Sequence, residues 1–241
     1  MSPLHSRDFG LDADATSPPE PLPAAVRRRL GGRYPVDPFG LDPQLCDLLS
    51  PLFDLTVRVR AHGMEHVGPG AATLVANRGL GIGEPAALAV AVRQALGRRL
   101  RVVGAPPVRL LGALSRRLGA VAATPEDLAA ALRAGHLVAV PLAPTWLRTG
   151  AGTPALELTQ AMMGFPVHPV AIVPAGPLGL PLARWRVCAG PPIRLDGSYP
   201  VGDPLGAAEL ADAVRHAVAR LLEGASPDPA EETPGLAVPS A

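Results

Sequence analysis

The stretch LVANRGLGIGEP, residues 74–85, sets an apolar run, Leu74-Val75-Ala76, against an abrupt polar stop at Asn77. Arg78, a glycine-broken turn and Glu84 follow, and then an apolar helical pattern begins. In α/β proteins ligands gather where strands end and turns start. Residues 77–84 contain no His, Ser, Cys or Lys, so they offer one cation, Arg78, and one carboxylate, Glu84. An arginine stays protonated in proteins and cannot accept a proton from a substrate. It can hold a phosphate or carboxylate through paired N–H donors. Glu84 is the group that could act as a base. Placed just ahead of Pro85, it equally suits the positive end of a helix.

Other chemistry is thinly represented. The six histidines, His5, His62, His66, His136, His168 and His216, have no Asp or Glu at a spacing that suggests a catalytic pair. Each reads as a surface or satisfied core imidazole, with His62 and His66 in a hairpin or loop ahead of strand 72–76. Ser115 and Thr145 lack an accompanying base, and no Gly-x-Ser-x-Gly occurs. All 22 basic residues are arginine, so no lysine is present to form a Schiff base or a phosphate-loop cation. Cys46 and Cys188 stand far apart in apolar surroundings and read as small buried hydrophobes. No metal-ligand spacing surrounds them, and neither a metal nor a cofactor is expected.

The elements that must position these residues follow from composition and periodicity. Hydrophobic residues make up 48% of the 241, enough for one α/β core, and aromatics only 3%, so that core is built from Ala, Leu and Val. Residues 1–33 are expected to be a disordered Pro-rich arm and 224–241 a second tail, with one domain over 34–223. Within it, Leu45, Leu48, Leu49, Leu52 and Leu55 repeat at helical spacing, with Pro51 expected to kink the helix. Buried strands are expected at 72–76, 101–104, 136–140, 167–173 and 184–189, with a short one at 119–122. Helices are expected at 85–96, 108–118, 154–163 and 206–222. A further helix is sharply punctuated, with Thr124 as cap, Pro125 first, Glu126 and Asp127 in the first turn and Gly135 after its end. The alternation predicts a single α/β domain with a mixed, largely parallel central sheet flanked by helices. Strand 72–76 should be central.

Five segments occur in a set order: RYPVDPFGLDP (33–43), GMEHVGPGAATLVANRG (63–79), LSRRLGAV (114–121), LRAGHLVAVPL (132–142) and FPVHPVAIVPAG (165–176). Together they resemble the glycerolipid and lysophospholipid acyltransferases, including the 1-acyl-glycerol-3-phosphate acyltransferases, over roughly residues 33–222. The resemblance implies a glycerol-3-phosphate-acyltransferase-like fold. In that family the apolar strand ends in Asn-His and an Asp follows. The His deprotonates the acceptor hydroxyl, the Asp orients it, and the alkoxide attacks an acyl-CoA or acyl-carrier-protein thioester. Here Asn77 matches, Arg78 stands at the His position, and Glu84 falls near the place of the acid. The family's Phe-Pro-Glu-Gly, which helps bind the phosphate-bearing acceptor, corresponds to Val140-Pro141-Leu142-Ala143, with Arg148 soon after. The proline remains; the Glu and Gly do not.

The resemblance therefore implies a degenerate site at Asn77, Arg78 and Glu84, with Arg78 and Pro141 as candidate substrate contacts; Arg148, to which the motif gives no fixed place, and Arg116 and Arg117, from the basic stretch, are further candidate phosphate contacts. It implies a pseudoenzyme of phospholipid metabolism that binds lipid or acyl-CoA, or regulates an active paralogue. One alternative is an active lysophospholipid acyltransferase with Glu84 as base, and another is a scaffold or partner-binding protein. Between Pro85 and Pro125 there are seven arginines and no Asp or Glu, which predicts a basic surface suited to anionic lipid headgroups. A net charge of +1 argues against nucleic acid as a partner. With no signal-like segment at the start and no long apolar run, a cytoplasmic protein is expected, peripheral at the inner face of the cell membrane.

Overall fold

In a computed structural model the protein is described over residues 36–77, 83–104, 109–142, 155–175, 184–195 and 197–225. Seven strands form one sheet: β1 (Arg58–His62), β2 (Ala72–Ala76), β3 (Leu100–Val103), β4 (Ala120–Val121), β5 (Leu137–Pro141), β6 (Val167–Ala175) and β7 (Arg184–Ala189). Their order is β1-β7-β6-β2-β5-β3-β4, which places β2 at the centre as expected. All neighbours are parallel except β6 and β7. Among the described residues six helices accompany it: α1 (Pro43–Thr56), α2 (Gly83–Leu96), α3 (Arg109–Arg117), α4 (Pro125–Arg133), α5 (Leu156–Met162) and α6 (Pro204–Ala225). The chain is thus a single α/β domain with a mixed, mostly parallel sheet flanked by helices.

Every residue of β2 is buried, as a strand covered on both faces requires. Alternate residues feed two cores. Leu74 and Ala76 join Val170, Ile172, Trp185 and the apolar side of α2, including Leu88 and Val92. Val75 joins Val138, Val140, Leu128 of α4, Met162 of α5 and Val214 of α6. The punctuation of α4 is as the sequence implies: Thr124 accepts from the Asp127 amide at 3.2 Å, Pro125 opens the helix, and Gly135 follows at φ 86°.

One expectation is corrected. The segment holding His62 is an edge strand, β1, paired parallel with β7, because Arg58-Val59-Arg60-Ala61 alternates polar and apolar and sends Val59 into the core. Gly63 ends it at φ 72°, and a Cβ there would stand 2.0 Å from the Ala189 carbonyl oxygen, so only glycine lets β1 lie that close to β7. α1 runs unbroken over Pro43–Thr56 with Pro51 inside it.

The segment ahead of α1 is organised by charge. Arg101 on β3 is only 3% exposed and pairs with Asp37. Its guanidinium also lies 5.6 Å from the Phe39 ring centroid. The other Asp37 oxygen accepts from the Phe39 and Leu41 amides, each at 2.9 Å, and so closes the turn that carries Phe39 to the arginine. Leu41 is then buried, within reach of Gly119, and Asp42 caps α1 by accepting from the Leu45 amide at 2.9 Å. Asp37→Asn should destabilise the protein by about 3 kcal/mol, because it leaves a buried guanidinium without its countercharge. Arg101→Met should cost less, since Asp37 keeps its two amide bonds and partial contact with water. Urea unfolding of both variants checks the asymmetry; equal losses would mean that burial of the arginine charge is not what the pair offsets.

Candidate functional site

At the carboxyl rim of the parallel strands, Ala76, Val102, Ala139 and Ile172 from the sheet meet Glu84, Pro85 and Leu88 from α2, with Asn77 and Pro141 completing a small niche. Its volume is about 20 Å³, room for roughly one water molecule. The segments that follow β2, β3, β5 and β6 in the chain (78–82, 105–108, 143–154 and 176–183) lie outside the described residues, and Arg78 and Arg148 with them.

Asn77 has a structural task. Its Nδ2 donates to the Ile172 carbonyl at 2.9 Å, and its Oδ1 accepts from the Ile172 amide at 2.6 Å. The side-chain amide thereby continues the β2–β6 ladder one step beyond the last backbone pair, Ala76 with Val170. This fixes where the chain leaves the sheet and hence where residue 78 starts.

Glu84 stands in the first turn of α2 and lines the niche. Its Oε2 is buried and has no hydrogen-bond partner among the described residues. No imidazole, thiol or hydroxyl from those residues lines the niche. Pro141 reaches it as the last residue of β5, while Leu142, next in the chain, donates its amide to the Ala76 carbonyl at 2.7 Å and packs in the other core with Val140. A side chain at 142 therefore faces away from the niche.

The histidines do not converge on this place. His62, His66 and His216 are exposed, and His136 makes an edge contact with Phe39 at 5.5 Å. His168 is 1% exposed on β6, with Nδ1 3.1 Å from the Gly190 carbonyl. The carbonyl can only accept, so Nδ1 carries the proton. Burial pushes its pKa below the ordinary imidazole value, and nearby His66 adds to the effect against the opposing hydrogen bond. Cys46 and Cys188 are half-buried and form no disulfide, and burial pushes the Cys188 thiol up. Among the described residues no group of three or more His, Cys, Asp or Glu could hold a metal.

The basic stretch 93–117 is not the open positive surface its composition suggests. Arg93 pairs with Asp54, and Arg99 with Asp47 at 3.0 and 3.1 Å. Arg101 pairs with Asp37. Arg98 donates to the carbonyls of Gly68, Gly70 and Gly135 at 2.9–3.1 Å, fastening two turns where the strands begin. The acids come from residues 37–54, outside the arginine-rich stretch, and only folding brings them there. Arg116 and Arg117 are exposed at the end of α3, just before β4 begins, and the Arg117 carbonyl accepts from the Asp42 amide at 2.9 Å. They therefore stand where the parallel strands set out, whereas the niche lies where they end, and the two are not brought together. Arg109 begins α3.

No protein-family model matches the chain, and no curated protein matches it. Among solved structures the chain is similar to the 1-acyl-sn-glycerophosphate (LPA) acyltransferase PlsC from Thermotoga maritima, at 16% identity over 77% of this chain and 82% of that one, with a TM-score of 0.46. A likeness at that level leaves the chemistry to be read from this chain's own residues.

Two outcomes test the site's architecture. Asn77→Ala should cost about 1–3 kcal/mol, the usual effect of leaving buried backbone groups unpaired; an unchanged urea midpoint would mean that water replaces the clamp. For His168, the fold favours the neutral ring, so the unfolded chain binds the proton more readily. Stability should be complete above the ordinary imidazole pKa of 6.5 and fall as pH drops below it. His168→Gln should flatten that part of the profile in melts across the acid range, and an unaltered slope would assign it to other groups.

Proposed function

We propose that the protein is an acyltransferase-fold member of the glycerolipid and lysophospholipid type that binds an acyl or lipid ligand over the niche and transfers acyl groups weakly or not at all. One observation carries this reading: the niche offers a single carboxylate, Glu84, and no imidazole among the described residues. The resemblance places the catalytic His at 78, where this chain has Arg78. A positioned general base contributes about 10²–10⁴-fold, and an arginine cannot supply it. It can instead attract a phosphate or carboxylate, so binding survives where turnover is lost. Acyl-CoA or an acyl-carrier-protein is the proposed donor class, a glycerolipid the proposed acceptor, and an active paralogue a proposed partner. Among the described residues no helix is long and apolar enough to cross a membrane. A peripheral position at an anionic membrane surface is part of the same proposal.

Glu84 supports a second reading, in which it is the base. A buried acceptor without a donor costs about 1–3 kcal/mol, and an acceptor hydroxyl placed over the niche would satisfy Oε2 and lie where its proton could be taken. The two readings separate in one assay. The purified protein, incubated with acyl-CoA and lysophosphatidate, should release thiol barely above the enzyme-free rate, while a titration with acyl-CoA alone still shows binding. Arg78→His alone should recover little, and Arg78→His with Glu84→Asp more. Robust acylation by the unmodified chain, abolished by Glu84→Gln, would make Glu84 the base and overturn the first reading.

A further inference from the structure

The parallel pairing of β1 with β7 sets Arg58 opposite Arg184 and Arg60 opposite Arg186. Val59, Trp185 and Val187 between them enter the core shared with α2, so the four arginines lie together on the other face of the sheet. Arg58, Arg60 and Arg184 are exposed and Arg186 is half-buried. Among the described residues none of the four is paired with a carboxylate. Opposed residues on neighbouring strands sit about 5 Å apart, and like charges placed so repel. The array therefore favours an anionic occupant.

The same face carries α6, which packs along β6 and reaches only the margin of β7. There Arg186 donates to the carbonyl of Ala225, the last residue of α6, at 2.7 Å. The chain that follows, SPDPAEETPG, holds Asp228, Glu231 and Glu232, and residues 226–241 contain no basic residue. Six residues of a Pro-rich segment can span up to about 20 Å, several times the roughly 5 Å between neighbouring strands. A tether this short holds the carboxylates at an effective concentration in the millimolar range. We propose that Arg58, Arg60, Arg184 and Arg186 form a docking face for the chain's own acidic segment, residues 228–232. The docked segment shields the edge of the sheet from other anions. Exposed ion pairs are individually weak and screened, so docking is released by salt. The inference is independent of the acyltransferase reading.

The test uses the full chain, labelled with nitrogen-15. At low salt the backbone order parameters of residues 228–232 should exceed about 0.6, and at high salt they should fall below it. Arg58→Ser with Arg184→Ser, both exposed sites, should release the segment at low salt without changing the melting temperature. Arg58→Glu with Arg184→Glu should release it likewise, and adding Asp228→Arg with Glu231→Arg should restore the order. Phosphatidylglycerol vesicles should bind more tightly once Asp228→Asn, Glu231→Gln and Glu232→Gln have removed the competing charge. Free-coil relaxation of residues 228–232 at low salt would overturn the proposal, as would order indifferent to the arginine substitutions. Vesicle binding by the array that ignores the tail charges would also overturn it and make a lipid surface the occupant.

Discussion

The edge of the sheet beyond β5, formed by β3 and β4, depends on one buried ion pair. Arg101 sits on β3, a strand whose outer neighbour, β4, is two residues long and shields little. A guanidinium in that position, 3% exposed, is costly unless a carboxylate meets it and its flat face is covered. Asp37 and Phe39 do both. The turn they share delivers Leu41 to Gly119 and Asp42 to the start of α1. The placement of α1 then decides the fate of other charges, because Asp47 and Asp54 on it meet Arg99 and Arg93. One buried arginine thus orders the segment ahead of the sheet, and that segment neutralises an arginine-rich stretch far from it in sequence.

What this leaves unbalanced is informative. The stretch from 93 to 117 holds seven arginines and no Asp or Glu, yet most of its described cations are occupied by acids or carbonyls. β1 and β7 hold four arginines between them and align these in register on a face that α6 only partly covers. Density of charge along a chain and field at a surface are different quantities, since the first ignores the countercharges that folding supplies.

The niche at the rim shows the same separation between type and task. Asn77 is the polar stop at the end of β2, and its amide is committed to both backbone groups of Ile172. Leu142 turns into the opposite core from Pro141, because successive residues of an extended chain face opposite sides. The polar capacity of the described rim is concentrated in Glu84.

The sequence by itself determined the fold class, the central place of β2, the two-faced burial of the strands and the limits of α4, because these follow from local periodicity and capping, which act within a few residues. It also located the polar stop at Asn77 and the carboxylate at Glu84. It did not reveal β1 as a strand, for the alternation Arg58-Val59-Arg60-Ala61 is short and its apolar members are small. It misjudged the arginines at 93–101, whose partners lie about 40–65 residues earlier, and it grouped Arg116 and Arg117 with a niche at the other end of the strands. Those matters were decided only by the tertiary structure, because an ion pair or a shared rim depends on which distant segments the packing of helices on the sheet brings within a few ångströms, and no local pattern encodes that distance.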